Sequence, residues 1–158
     1  MFATEKPPRE DLKDLPIEHL EQEITELASH IYAGTCRWLE LVAEFDRREA
    51  AGSWGCRSTA EWIAWACAVA PRTAREHVRV ARALGELPRI RDEFSRGSLS
   101  YAKVKALTRV ADSDSEEELL ELAHYATASQ LERMLRAYRR ISPDEARDTH
   151  EGEYLAWS

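Results

Sequence analysis

From Ile17 the apolar residues recur in steps of three and four: Ile17, Leu20, Ile24, Leu27, Ile31, Trp38, Leu41 and Phe45, with Gly34 at the one place that lacks a large side chain. A three–four alternation is the stripe of an α-helix, and held over four heptads it is a coiled-coil seam. The spacing predicts one long helix from Ile17 to near Gly52, about 50 Å at roughly 1.5 Å per residue. Such a helix outruns a small domain, so two fates are open to its stripe. It packs along other helices of the same chain, or Ile17, Leu20, Ile24, Leu27, Ile31 and Trp38 pair with a second copy in a homodimer. Gly34 weakens the helix by about 1 kcal/mol against alanine, but it admits a close neighbour.

After the turn Gly52-Ser-Trp-Gly-Cys-Arg the pattern shortens. Ser58-Thr-Ala-Glu61, Ser115-Glu-Glu-Glu118 and Thr127-Ala-Ser-Gln130 each have the capping-box spacing that opens a helix. The first of these helices stops near Val69-Ala70. Pro71 and Pro88 suit the first position of two more, ending near Gly85 and Gly97. Ser100 caps another, from Tyr101 to Ala111, and Asp112-Ser-Asp-Ser is a turn. The last helix carries Leu131, Met134, Leu135, Tyr138 and Ile141, until Ser142-Pro143 breaks it. The only strand-like run is Glu153-Tyr-Leu-Ala-Trp157. The reading is an all-α fold: a long N-terminal helix on a bundle of shorter ones, with one or two helix-turn-helix units. Residues 1–14 read as a flexible Pro-rich segment, 15–142 as the helical domain, and 143–158 as a tail leading into a further part.

Composition adds the setting. The chain has 158 residues, 44% hydrophobic and 32% charged, which suits a globular helical domain. No apolar run reaches the roughly 20 residues of a membrane span, and the polar N-terminus is no secretory signal. Cys36, Cys56 and Cys67 are odd in number and form no CxxC pair, so a reducing cytoplasm is expected, with the thiols packed as small apolar groups. The net charge of −7 is unevenly spread. Residues 1–51 carry six basic and twelve acidic side chains, residues 52–111 eleven and five, and residues 112–158 five and twelve. A basic middle between acidic flanks gives a local face for phosphate that the total conceals.

Within that middle, Arg72, Arg75, Arg79 and Arg82 fall on one helical face. A short helix and a tight turn precede them, so this helix can lie in a major groove with arginines reaching phosphates or guanine edges. A solvated arginine face balanced by Glu76 and Glu86 is the plainer alternative. A second helix–turn–helix outline follows over Phe94–Leu107, its small core on Leu99, Val104 and Leu107, with Lys103, Lys105 and Arg109 as phosphate contacts. Catalytic chemistry finds no support. The five histidines form neither HExxH nor a His–Cys cluster, no Gly-rich phosphate loop is present, and Glu116-Glu-Glu118 suits a first helical turn. No catalytic residue, metal ligand, cofactor or small-molecule substrate is expected.

Three segments carry a family likeness: Val42-Ala-Glu-Phe-Asp-Arg-Arg48; Ser58-Thr-Ala-Glu-Trp-Ile-Ala-Trp65 followed by Ala74-Arg-Glu-His-Val-Arg-Val-Ala-Arg-Ala-Leu84; and Gly97-Ser-Leu-Ser-Tyr-Ala-Lys-Val-Lys-Ala-Leu107. Together they resemble the bacterial domain of unknown function family 222 (DUF222, the 13E12 repeat family) over roughly residues 15–158. The resemblance implies the N-terminal helical part of an HNH endonuclease-like protein, whose nuclease module binds a divalent metal through His and Asn. This chain contains no asparagine, so no HNH site can be built from it. The expected function is non-catalytic association with duplex DNA. The rival is a dimerising protein-interaction module without DNA contact.

Overall fold

The computed structural model describes residues 11–141, of whose last two only the backbone is considered. Among them run seven α-helices and no strand: α1 (Ile17–Arg47), α2 (Thr59–Ala66), α3 (Pro71–Leu84), α4 (Pro88–Ser95), α5 (Tyr101–Leu107), α6 (Glu116–Tyr125) and α7 (Ala128–Ile141). The all-α expectation holds. Short 3-10 turns lie at Leu12–Asp14 and Ala50–Trp54. The first is capped by Asp11, whose side chain accepts from the Lys13 amide.

The local signals mostly worked as read. Ser58 accepts from the Glu61 amide, Ser100 from the Lys103 amide, and Thr127 exchanges bonds reciprocally with Gln130. Three boundaries and one cap differ, beginning with α2, which stops at Ala66 rather than near Val69-Ala70. Helix α1 stops at Arg47 rather than near Gly52, because Glu49 turns left-handed (φ 53°) and a 3-10 turn takes over. Helix α5 ends at Leu107 rather than Ala111. Ser115 precedes α6 without capping it: its hydroxyl accepts from the Asp112 amide, while the Asp112 carboxylate takes the amides of Asp114 and Ser115. The Glu153–Trp157 strand and the Ser142-Pro143 break lie outside the described residues.

The core gathers Leu39 and Cys36 of α1, Ile63 of α2, Val78 and Val80 of α3, Ile90 and Phe94 of α4, Leu107 of α5, Leu119 of α6 and Leu131 of α7. Helix α1 packs chiefly on α3 and α4, α2 on α3, and α7 on α5. The face of α1 that enters this core is Cys36, Leu39 and Val42, roughly a third of a turn from the apolar stripe. Most of the stripe is therefore not packed within the chain: Ile17, Ile24, Leu27, Ile31 and Leu41 are each between 55% and 66% exposed. Leu20, Trp38 and Phe45 are half-buried, Phe45 by stacking on Trp62 at 4.3 Å. Small side chains mark two close approaches on the docking side: Ser29 Oγ donates to the Gly97 carbonyl at 3.1 Å, and the Cys36 thiol donates to the Arg91 carbonyl at 3.7 Å. The cysteines differ likewise: Cys36 is buried and its thiol pushed up to about 11, mainly by burial, whereas Cys67 is exposed rather than packed.

Candidate nucleic-acid interface

Helix α3 follows α2 across a four-residue turn in which Ala68 is left-handed (φ 53°). Its inner face buries Ala74, Val78, Ala81 and Leu84, which turns the four arginines outward together. They do not remain equivalent. Arg72 and Arg75, in the first turns, are exposed and have no ion-pair partner among the described residues. Arg79 bends back: Nη2 donates to Glu76 Oε1 at 2.6 Å and to the Lys105 carbonyl at 3.1 Å, and Nη1 donates to Thr108 Oγ1 at 3.3 Å. Arg82 grips Asp46 of α1 with Nε and Nη2 at 2.8 and 3.0 Å, and Thr59 Oγ1 donates to the same carboxylate at 2.7 Å. These two arginines fasten α3 to α5 and α1.

The α5 cations divide in the same way. Lys103 Nζ donates to the Ala123 carbonyl at 2.7 Å and ties α5 to α6. Lys105 and Arg109 stay at the surface beside α3, with Arg109 Nη2 3.0 Å from Glu76 Oε1. Hydrogen bonds from Arg79, and then from Arg109, hold the Glu76 carboxyl at about 2, below the usual 4.5. Bonds from Arg82 and Thr59 lower Asp46 likewise. A depressed folded-state value contributes stability that is complete above the unfolded value near 4.5 and disappears as the pH falls toward 2. Urea midpoints at pH 6 and pH 3 should therefore show a Glu76-dependent loss at the lower pH. The loss should be absent in Glu76→Gln.

Two clefts meet at Arg109. One, of about 280 Å³, is lined by Arg72, Thr73, Glu76, Tyr101, Lys105 and Arg109. The other, of about 120 Å³, lies between α5 and α7 and brings in Arg136 and Arg139, with Glu132 as its one carboxylate. Arg139 Nη2 donates to the Arg109 carbonyl at 3.3 Å, closing the path between them. A belt of cations thus runs from α3 over α5 to α7. Sequence reading missed its α7 end. Arg136 and Arg139 stand three apart on one helical face, but their segment carries a negative sum that drew attention away.

A third hollow, of about 450 Å³ and largely apolar, lies along α1 beside Ile31, Gly34, Thr35 and Trp38, with His77 and Tyr101 as its far wall. His77 is more than a bystander on the arginine helix: it meets Trp38 and Tyr101 edge-on at 5.0 and 5.2 Å. Its Nδ1 and the Tyr101 hydroxyl are buried without a hydrogen-bond partner among the described residues, and burial lowers its readiness to take a proton. Among the described residues no group of His, Cys, Asp and Glu side chains is placed to hold a metal ion, and no helix is long and apolar enough to cross a membrane.

These features define an all-helical domain with a cationic belt on one side and a bare apolar stripe on its longest helix. The chain belongs to the family described as Domain of unknown function (DUF222), whose model matches residues 22–145. No curated protein matches it. No solved structure does either.

Proposed function

We propose that the domain associates with duplex DNA through its basic belt and performs no catalysis itself, acting as the helical partner of an HNH-type nuclease module. The observation that carries this is the juxtaposition of Arg72, Lys105, Arg109 and Arg136 around two joined clefts whose lining carboxylates, among the described residues, are Glu76 and Glu132. Arg75 extends the belt along α3. A row of cations on rigid helices tracks phosphates and releases counterions, whatever the base sequence. The α2–α3 corner supports entry of α3 beside a groove, as in helix-turn-helix units. Arg79, Arg82 and Lys103 serve the fold, so the contact set is Arg72, Arg75 and Lys105, joined by Arg109 and Arg136, which share their charge with Glu76 and Glu132.

Fluorescence anisotropy of a labelled duplex at low salt tests this. Binding in the micromolar range is expected, with log affinity falling linearly against log salt. Arg72→Ala with Arg75→Ala should flatten that slope by up to about 1.8, at roughly 0.9 per phosphate contact. The duplex should emerge uncut after incubation with Mg²⁺ or Mn²⁺. No binding at tens of micromolar, or an unchanged slope in the double variant, would remove the proposal. The exposed stripe of α1 favours a second and compatible role, self-association.

A further inference from the structure

The stripe of α1 reads nearly the same in both directions. About the midpoint between Ile31 and Gly34 it runs Ile31, Leu27, Ile24, Leu20 one way and Gly34, Trp38, Leu41, Phe45 the other, so the spacings on one side mirror those on the other. Two copies laid antiparallel with Ile31 facing Gly34 bring Leu27 opposite Trp38, Ile24 opposite Leu41 and Leu20 opposite Phe45. Layers then match layers along the whole seam, which is the register an antiparallel coiled coil needs. Gly34 itself has open space: a Cβ there would meet nothing within 4 Å. The hollow lined by Ile31, Trp38, His77 and Tyr101 opens at the same point.

Charge selects the direction. Residues 17–31 of α1 carry Glu18, Glu21, Glu23 and Glu26 and no lysine or arginine. A parallel pair would set these four carboxylates beside four more. Residues 32–48 carry Arg37, Arg47 and Arg48 against Glu40, Glu44 and Asp46, and so sum to zero. An antiparallel pair lays each acidic half along this balanced half and avoids the repulsion. The area suffices. Five stripe side chains per copy, each more than half exposed, offer roughly 100 Å² apiece, or roughly 1,000 Å² of apolar surface in the pair. With flanking polar atoms this reaches the roughly 1,200–2,000 Å² of a stable interface.

We infer that the partner of this stripe is a second copy of the chain, bound antiparallel along α1 with its two-fold axis between Ile31 and Gly34. The inference deepens the self-association reading and rests on it, while standing apart from DNA binding. Its test uses the full chain with Cys56 and Cys67 changed to Ser; Cys36 stays, since it is buried and its thiol is held protonated. Ile24→Cys and Leu41→Cys are made separately, both at exposed positions. Mixed and mildly oxidised, they should form a disulfide-linked dimer in high yield, and each alone should form little. Self-linking of Ile24→Cys alone, or a dimer that gives no mixed link, would overturn the antiparallel register while leaving self-association intact. A monomer by sedimentation at high concentration would overturn both and assign the stripe to another partner.

Discussion

Replacing Gly97 by alanine is expected to destabilise the fold by about 3 kcal/mol, the sum of a left-handed alanine at about 1–2 and an overpacked contact at about 1–3. Gly97 closes α4 with φ 78° and rests against α1, where Ser29 Oγ donates to its carbonyl at 3.1 Å. A Cβ on Gly97 would overlap Ser29 Oγ and the Ser29 carbonyl oxygen and stand 3.0 Å from its carbon. The hydroxyl can rotate away, but the helical backbone cannot, so α4 must move off α1. Gly55 is the control: its φ is 75°, yet nothing lies within 4 Å of the added carbon, so alanine there should cost only about 1 kcal/mol. Urea unfolding of both variants reads the difference. Equal losses would mean that the α4–α5 turn is not seated on α1 as described.

Glu116→Ala is expected to cost about 2–3 kcal/mol, the range for a buried donor losing a charged acceptor. Glu116 is only 2% exposed, and its Oε1 accepts from the Ile90 amide at 2.7 Å. Helix α4 needs this. Leu87 at its N-cap gives no side-chain bond and Pro88 has no amide hydrogen, so a carboxylate from α6 serves as the missing cap and faces the positive end of the helix. Glu116→Gln keeps an acceptor and should recover part of the loss. Glu117 next to it reaches Arg89 at 2.7 Å with both side chains well exposed, so Glu117→Ala should cost under about 1 kcal/mol. Thermal unfolding separates the pair. A Glu116→Ala variant as stable as Glu117→Ala would show that another group caps α4.

The elements of the fold were legible because each rests on short-range chemistry: prolines at helix starts, hydroxyls three residues before an acceptor, glycine at a helix end. Which side of α1 faces inward was not. Periodicity reports where bulk lies, and here the inward side is small at Ser29 and Ala33, so the eye follows the bulky stripe instead. Glu116 illustrates the same limit. A carboxylate in a first helical turn looks complete as a dipole partner, and only the arrival of α4 reveals its second role. At the candidate interface the shared face of Arg72, Arg75, Arg79 and Arg82 follows from the helical period alone. That Arg82 is held by Asp46, 36 residues earlier, depends on how α3 crosses α1 and has no local sign.

The crossing of α1 by α3 and α4 also sets an order of events during synthesis. The carbonyl that receives the Cys36 thiol belongs to Arg91, 55 residues downstream, and the seat for Ser29 comes 68 residues after it. At about 5–20 residues per second, α1 waits several seconds on the ribosome with its inner side and its stripe both uncovered. Throughout that interval Cys36, Leu39 and Val42 lack the α3 and α4 side chains that later cover them.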